Sequence, residues 1–416
     1  MPSNKAAESS QPAPGVRHRP ALGPSIQEIK ACHEIYRKEL FDYVVPFWLS
    51  HSLDREYGGY LTLLERDGTV FDTDKYAWMQ GREIWMFSKL CSVYGTRPEW
   101  VDAAGLGVAF MRAHGRAENG DFYFAMDRKG NALIHPYNIF SDCFMCTALA
   151  EYSRVTGDEQ SHTEALEIYR RIQQRKDHPK GIWTKAVAGA RNLCAMAMPM
   201  IQMMMARELR GFVPDAELNP IVQENLDLFF RRHVDRERKC VFERVLPDGG
   251  HLFDVMEGRL LNPGHALENL WFIMDVANDM GRRDMVDDVA EIMLWVVERG
   301  WDKEYGGLFY YQDYMGYPTD KLESQMKLWW VHAEAINAFL LAHKLTGRQE
   351  HLDWFKRLHN YSFEHFSDHE YGEWYGYLDR EGRPIFGLKG GKWKGFFHLP
   401  RMLMVCERWL NEMAEQ

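Results

Sequence analysis

One short motif returns along this chain at intervals of roughly 55 to 65 residues, and its recurrence restricts the fold more than any other feature. Each copy is an acidic or Gly-containing turn, an aromatic-rich strand, a tight D-G or E-G type turn and a second short strand. The copies are LDREYGGYLTLLERDGTVF from Leu53, ENGDFYFAMDRKGNALI from Glu118, VDRERKCVFERVLPDGGHLF from Val234, WDKEYGGLFYYQDYMGYP from Trp301 and SDHEYGEWYGYLDREGRPIF from Ser367. Alternating aromatics around such turns mark β-hairpins. A degenerate sixth copy, HPKGIWTKAVAGAR from His178, fills the remaining gap.

Between the hairpins the apolar residues recur with helical rather than strand spacing. Each stretch divides at a polar or glycine turn into two helices, as at residues 79–96 and 99–115, 264–281 and 283–299, and 327–346 and 349–366. With single helices near 26–49 and 395–413 the total is about twelve. A linear array of six such pairs would leave apolar faces open at both ends, and closing it removes the ends. The expectation is an all-α fold, an α6/α6 barrel with short β-hairpins gathered at one rim over a central cleft. A single catalytic domain would run over 25–416, after a disordered tail at 1–24.

The 416 residues, 46% of them apolar, suffice for so large a core. A formal charge of −10 without a basic stripe speaks against nucleic acid. No apolar run approaches a membrane span. The N-terminal Pro/Ser/Ala-rich stretch lacks the apolar centre of a secretion signal. Seven scattered cysteines fit a reduced, cytoplasmic location, with Cys143 and Cys146 read as buried thiols in a helix rather than a metal or redox pair.

No dinucleotide fingerprint, P-loop, zinc-protease or nucleophile-elbow motif is present, so the chemistry is expected to run on side chains without a catalytic cofactor or metal. Four clusters offer it. In NPGHALENLWF, Asn262 and Pro263 start a helix, and His265 and Glu268 lie three apart on one face. In KLWWVHAEA, Lys327, Trp330 and Glu334 share a helical face. In KGGKWKGFFHLPR, a glycine-rich approach carries Trp393 and leads to His398, with Arg401 one turn later. In WMQGREIW, Arg82 falls in the first turns of a helix. Taken singly, each has a plain reading as packing or surface charge. Their shared position at hairpin–helix junctions is what points to a site.

At these residues the sequence resembles the N-acylglucosamine 2-epimerase family, whose mammalian members are also called renin-binding proteins. The resemblance runs from about Leu40 to the C-terminus and is strongest in YAWMQGREIW, PYNIFSDCF, EGRLLNPGHALE, QMKLWWVHAEA and LKGGKWKGFFHLPR. It implies an α6/α6 barrel, a homodimer, and interconversion of N-acetylglucosamine and N-acetylmannosamine. It places the two catalytic histidines on His265 and His398, the essential arginine on Arg82 and the essential glutamate on Glu334. Glu268, Lys327, Trp330, Trp393 and Arg401 are the expected substrate-binding residues. Related aldose isomerases and cellobiose 2-epimerases look to carry a further histidine where this chain has Met196, Met198 and Pro199, which favours the acylhexosamine branch. The family's ATP activation, without ATP consumption, has its candidate contacts in Lys180, Lys185 and Arg191, in a stretch equally readable as a solvated loop.

The chemistry is coherent with this. C2 of a ring-opened hexosamine is alpha to the aldehyde, so its proton can be removed without prior oxidation. Inversion then needs a base on one face of an enediolate and an acid on the other, and two histidines supply both near neutral pH. Arg82 would stabilise the oxyanion at O1. Alternatives are aldose–ketose isomerisation through the same enediolate or epimerisation of a neutral sugar. Glycoside hydrolysis would need two flanking carboxylates, and a renin-binding type interaction would be a role of another class.

Overall fold

Glycine stops and the intervening hairpins cut the chain into helices, and the hydrophobic residues sort those helices into two rings. The computed structural model describes residues 26–181, 187 and 190–415. Its helices are α1 (Ile26–Lys38), α2 (Val45–His51), α3 (Ala77–Tyr94), α4 (Pro98–His114), α5 (Phe140–Thr156), α6 (Glu159–Arg175) and α7 (Ala197–Leu209). They continue with α8 (Asp215–Leu228), α9 (Pro263–Asp279), α10 (Arg283–Gly300), α11 (Trp329–Thr346), α12 (Gln349–His365) and α13 (His398–Ala414). A π-helical turn, Glu39–Val44, joins α1 to α2 as one rod. Typical stops are Gly157 and Gly347, both left-handed, at the ends of α5 and α11.

α3, α5, α7, α9, α11 and α13 pack in that order, and α13 returns to α3, closing an inner ring. α4, α6, α8, α10 and α12 each pack outside the inner helix they follow, while α1 packs outside α13. The burial follows from this. α11 is apolar nearly all round, as a helix covered on every side must be, whereas α12 buries one stripe. This is the α6/α6 barrel. The first and last helices complete it together.

The hairpins are linked in a way the repeat alone does not reveal. The strand leading into an inner helix pairs with the next hairpin around the rim. Lys75–Tyr76 pairs with Ala125–Met126, Cys194–Ala195 with Arg244–Val245, Leu260–Leu261 with Gln312–Asp313, and Lys327–Leu328 with Tyr377–Leu378. Lys389 N donates to Leu64 O, joining the last hairpin to the first. Of the sixth hairpin, from His178, residues 182–186, 188 and 189 lie outside the described residues.

Three of these junctions carry the same clasp. Buried Asp54 binds buried Lys75 at 2.9 Å and Arg128 of the next hairpin at 3.0 Å. Asp302 holds Lys327 and Arg380, both at 3.0 Å, and Asp368 holds Lys389 at 2.9 Å and Arg66 at 2.7 Å. Each arginine also lies over the tyrosine of its partner's D-x-E-Y-G turn, Tyr57, Tyr305 or Tyr371. Isolated burial of an ammonium costs several kcal/mol. Here each of Lys75, Lys327 and Lys389 meets a carboxylate that an arginine also neutralises, so the hairpins are held in register. Lys327 therefore precedes α11 instead of sharing a helical face with Trp330 and Glu334, which corrects the sequence-based expectation.

Candidate active site

His398 is the first residue of α13, delivered by the glycine-rich segment before it. Its Nδ1 lies 2.7 Å from Oε1 of Glu334, which projects inward from α11. Glu334 is fully buried, and it also accepts from Arg401 Nη2 at 2.7 Å and from Trp271 Nε1 at 2.8 Å. Arg401 stands one turn after His398 on the same helix and donates equally to Glu268 Oε1, at 2.7 Å. Arg401 and His398 together hold the Glu334 carboxyl well below the usual carboxylate range in spite of its burial. Burial pushes the His398 imidazole down to about 3, and Arg82 and Arg401 add to this against the pull of Glu334. His398 is thus neutral near pH 7. Because a carboxylate only accepts, the Nδ1 must carry the hydrogen, which leaves Nε2 as the free base.

His265 sits in the first turn of α9, which Asn262 caps by accepting from His265 N at 3.1 Å, with Pro263 at the first helical position. Its Nδ1 faces both oxygens of Glu243, each at 3.1 Å, and Asn262 Nδ2 at 3.1 Å. Burial lowers the basicity of this imidazole, but Glu243, with Glu268 behind it, outweighs burial and holds the pKa above its ordinary value. Trp330 lies against both histidines, its ring 5.3 Å from that of His265 and 5.7 Å from that of His398. Two imidazoles share one aromatic wall, and their environments push their pKa values apart. That separation is the signature of an acid–base pair.

Arg82 reaches the same group from α3. Its guanidinium is caged by the rings of Trp78, Phe144 and Phe397 at 4.5, 4.2 and 4.7 Å. No carboxylate lies within ion-pair distance among the described residues, and its Nε is buried without a hydrogen-bond partner. Burial lowers its pKa to about 9, with Glu268 and Glu334 only partly offsetting that. A buried cation left without an anion is suited to receive one.

Known proteins fit this arrangement. The sequence profile of the N-acylglucosamine 2-epimerase (GlcNAc 2-epimerase) family matches residues 58–401, spanning the cleft from the first hairpin to Arg401. The chain belongs to the N-acylglucosamine 2-epimerase family. Among curated members, the N-acylglucosamine 2-epimerase of Bos taurus is 39% identical over 399 residues, covering 94% of each chain. Among solved structures, the cellobiose 2-epimerase of Spirochaeta thermophila superposes with a TM-score of 0.79 at 22% identity, over 93% of this chain and 98% of that one. A D-mannose isomerase superposes with a TM-score of 0.76 at 16% identity, over 91% and 98%. At such identities these two structures speak for the barrel alone. Membership makes the chain an enzyme, an epimerase of the N-acylglucosamine 2-epimerase family.

Within this member of the N-acylglucosamine 2-epimerase family, the structure brings Arg82, His265, Glu268, Trp330, Glu334, His398 and Arg401 together. Glu268, three residues from His265 on the same face, acts on that imidazole through its charge rather than through a hydrogen bond. It binds Arg401, and the rim residue Glu243 accepts from His265 Nδ1 instead. Lys327 is not in the group, since its ammonium is fully buried in the clasp with Asp302. Trp393 is half exposed and packs edge-on against Trp78, next to Arg82. Lys180 is exposed, Arg191 lies 3.6 Å from Glu257, and Lys185 falls outside the described residues. Glu268, Glu334 and His398 offer ligand atoms within 4.8 Å of one another, a spacing that would suit a metal. Arg401 bridges the two carboxylates, so that acceptor set already serves a cation. No described helix is long and apolar enough to cross a membrane. Glu243 was not singled out in the sequence, and Asn262 was read there only as the start of α9, not as a neighbour of the His265 ring.

Proposed function

We propose that this enzyme interconverts N-acetylglucosamine and N-acetylmannosamine, by removing the C2 proton of the ring-opened sugar and returning one to the opposite face. The observation that carries the reading is the pair of histidines on Trp330, each with its Nδ1 occupied by its own carboxylate and with their pKa values driven apart. Each imidazole then has Nε2 free for the sugar. In one direction neutral His398 takes the C2 proton and protonated His265 supplies the new one. The reverse direction starts from the other placement of the single shared proton. Negative charge gathers at O1 as the proton leaves, and Arg82 receives it. One such donor in a desolvated site is worth about 3–4 kcal/mol of the barrier.

The carboxylates do not flank a bond as hydrolysis would need, because Glu268 and Glu334 are both tied to Arg401. The N-acyl preference rests on the 39% identity to the bovine protein and on Met196, Met198 and Pro199 at the start of α7. ATP as a non-consumed activator, with Lys180, Lys185 and Arg191 as phosphate contacts, belongs to the same reading. So do a homodimer and a cytoplasmic location, the last in keeping with seven free cysteines. The test is incubation with N-acetylglucosamine in D₂O, with and without ATP, followed by proton NMR. N-acetylmannosamine deuterated at C2 is expected, and faster with ATP. No reaction with this sugar, together with conversion of mannose to fructose, would replace the reading by aldose–ketose isomerisation.

A further inference from the structure

We infer that Glu243 is the positioning residue of His265: a carboxylate that the rim hairpin presses against the histidine so that its ring faces the sugar in one orientation and carries the proton to be delivered. The inference rests on the acid–base role given above to His265.

The backbone fixes Glu243 from both sides. Its N–H donates to Leu260 O, two residues before the cap of α9, at 2.9 Å. Its own carbonyl accepts from Met196 N, just before α7, at 2.9 Å. Arg244–Val245, the next two residues, pair with Cys194–Ala195. The side chain is therefore held between two inner helices at their cleft ends and is itself buried. Its two oxygens are equidistant from His265 Nδ1, at 3.1 Å. Since a carboxylate cannot donate, this contact requires a hydrogen on Nδ1 and leaves Nε2 for the substrate. Glu334 does the same for His398 from the floor of the cleft. The site thus holds two histidine–carboxylate pairs of unlike charge. Glu334 is neutralised by Arg401, whereas no arginine or lysine pairs with Glu243 among the described residues. An anion not shared with a cation favours the imidazolium beside it.

Asn262 Nδ2 also lies 3.1 Å from Nδ1 but is itself a donor, its Oδ1 being taken by His265 N, so the Nδ1 hydrogen goes to Glu243. Glu268, one turn along α9, is committed to Arg401. Trp330 of α11 is uncharged. Near Glu243 itself stand His233, whose Nδ1 is bonded to Phe242 O at 2.8 Å and whose pKa burial lowers, and the partly buried phenols of Tyr310 and Tyr311.

Two measurements on the full-length enzyme test this. In the first, the His265 ring is titrated by NMR in the wild type and in Glu243→Gln, with His265→Asn identifying the signal. The glutamine keeps the size of the side chain and removes its charge. The His265 pKa should fall by about one unit or more, while Glu243→Asp should recover part of that fall. In the second, kcat and KM are followed against pH in both directions of the epimerisation. Glu243→Gln should lower kcat about 10- to 100-fold, as loss of an orienting carboxylate does elsewhere. KM should change little, and the alkaline limb should move to lower pH. Because the overall equilibrium is fixed, kcat/KM must fall equally in both directions. An unchanged His265 titration in Glu243→Gln would overturn the inference, and so would a rate loss with an unmoved alkaline limb. The ring titration needs no turnover, so it decides the role of Glu243 even if the epimerase reading fails.

Discussion

Both the rim and the cleft of this barrel bury cations, and the rim lysines and the cleft's Arg82 are treated in opposite ways. At the rim Lys75, Lys327 and Lys389 are fully buried, and each meets an aspartate that also holds an arginine of the neighbouring hairpin. In the cleft Arg82 is also buried but faces three aromatic rings and, among the described residues, no carboxylate. The paired cations hold repeats together. The unpaired one holds a place for charge that exists only during reaction. Burial alone therefore does not set Arg82 apart from the rim lysines; burial of a cation without a carboxylate does.

The sharpest way to break this comparison is to remove one cation of each kind. Arg82→Met should lower kcat by about 10²–10³ while leaving the melting temperature unchanged or higher, because it deletes an uncompensated buried charge. A comparable loss of stability in a calorimetric scan would make Arg82 a rim-type residue. Asp302→Asn should do the reverse. It leaves Lys327 buried without its carboxylate, at a cost of about 3–5 kcal/mol, while kcat/KM of the folded enzyme stays near the wild-type value.

Acid separates the regions next. Asp54 and Asp302 are held at about 2, because Lys75 with Arg128, and Lys327 with Arg380, outweigh the effect of burial. Both lie below the roughly 3.9 of an unfolded aspartate. Their stabilisation is complete above about pH 4 and is lost as pH falls through about 2. Thermal melts from pH 2 to 7 should show the decline there. Activity should instead fall on the alkaline side, as His265 loses its proton above its ordinary value of about 6.5.

A smaller effect is expected at the turn before the His398 segment. Glu373 holds a left-handed backbone (φ 57°) where the matching turns have Gly59 and Gly307. It binds Trp48 Nε1 and Lys394 Nζ, both at 2.6 Å. Glu373→Gly relieves the strain but strands Lys394, so a net loss of about 1–3 kcal/mol is expected in denaturant unfolding. Lys180→Ala and Arg191→Ala, being exposed, should shift stability by less than about 0.5 kcal/mol.

How much of this was legible in the sequence follows the same division. The barrel was readable because hairpin turns and helical periodicity are local signals that repeat. Arg82, His265, Glu334 and His398 were readable through the family resemblance and through their places at helix starts. Lys327 was misplaced because the strand residue Leu328 continues the apolar run of α11 back to it, and only the pairing with Tyr377–Leu378 shows the break. Glu243 was missed because its partner is 22 residues away across a strand crossing, where no periodicity operates. The clasps were hidden for the same reason, although Asp, Lys and Arg recur at matching places in three repeats.

The central claim is that two histidines serve opposite faces of C2. Its most direct test is C2 deuterium exchange in His265→Asn and His398→Asn, each offered N-acetylglucosamine and N-acetylmannosamine separately in D₂O. The account predicts that neither variant epimerises, and that each still exchanges the C2 proton of one sugar, a different sugar for each variant. Exchange of the same sugar by both variants, or epimerisation by either at near the wild-type rate, would contradict it.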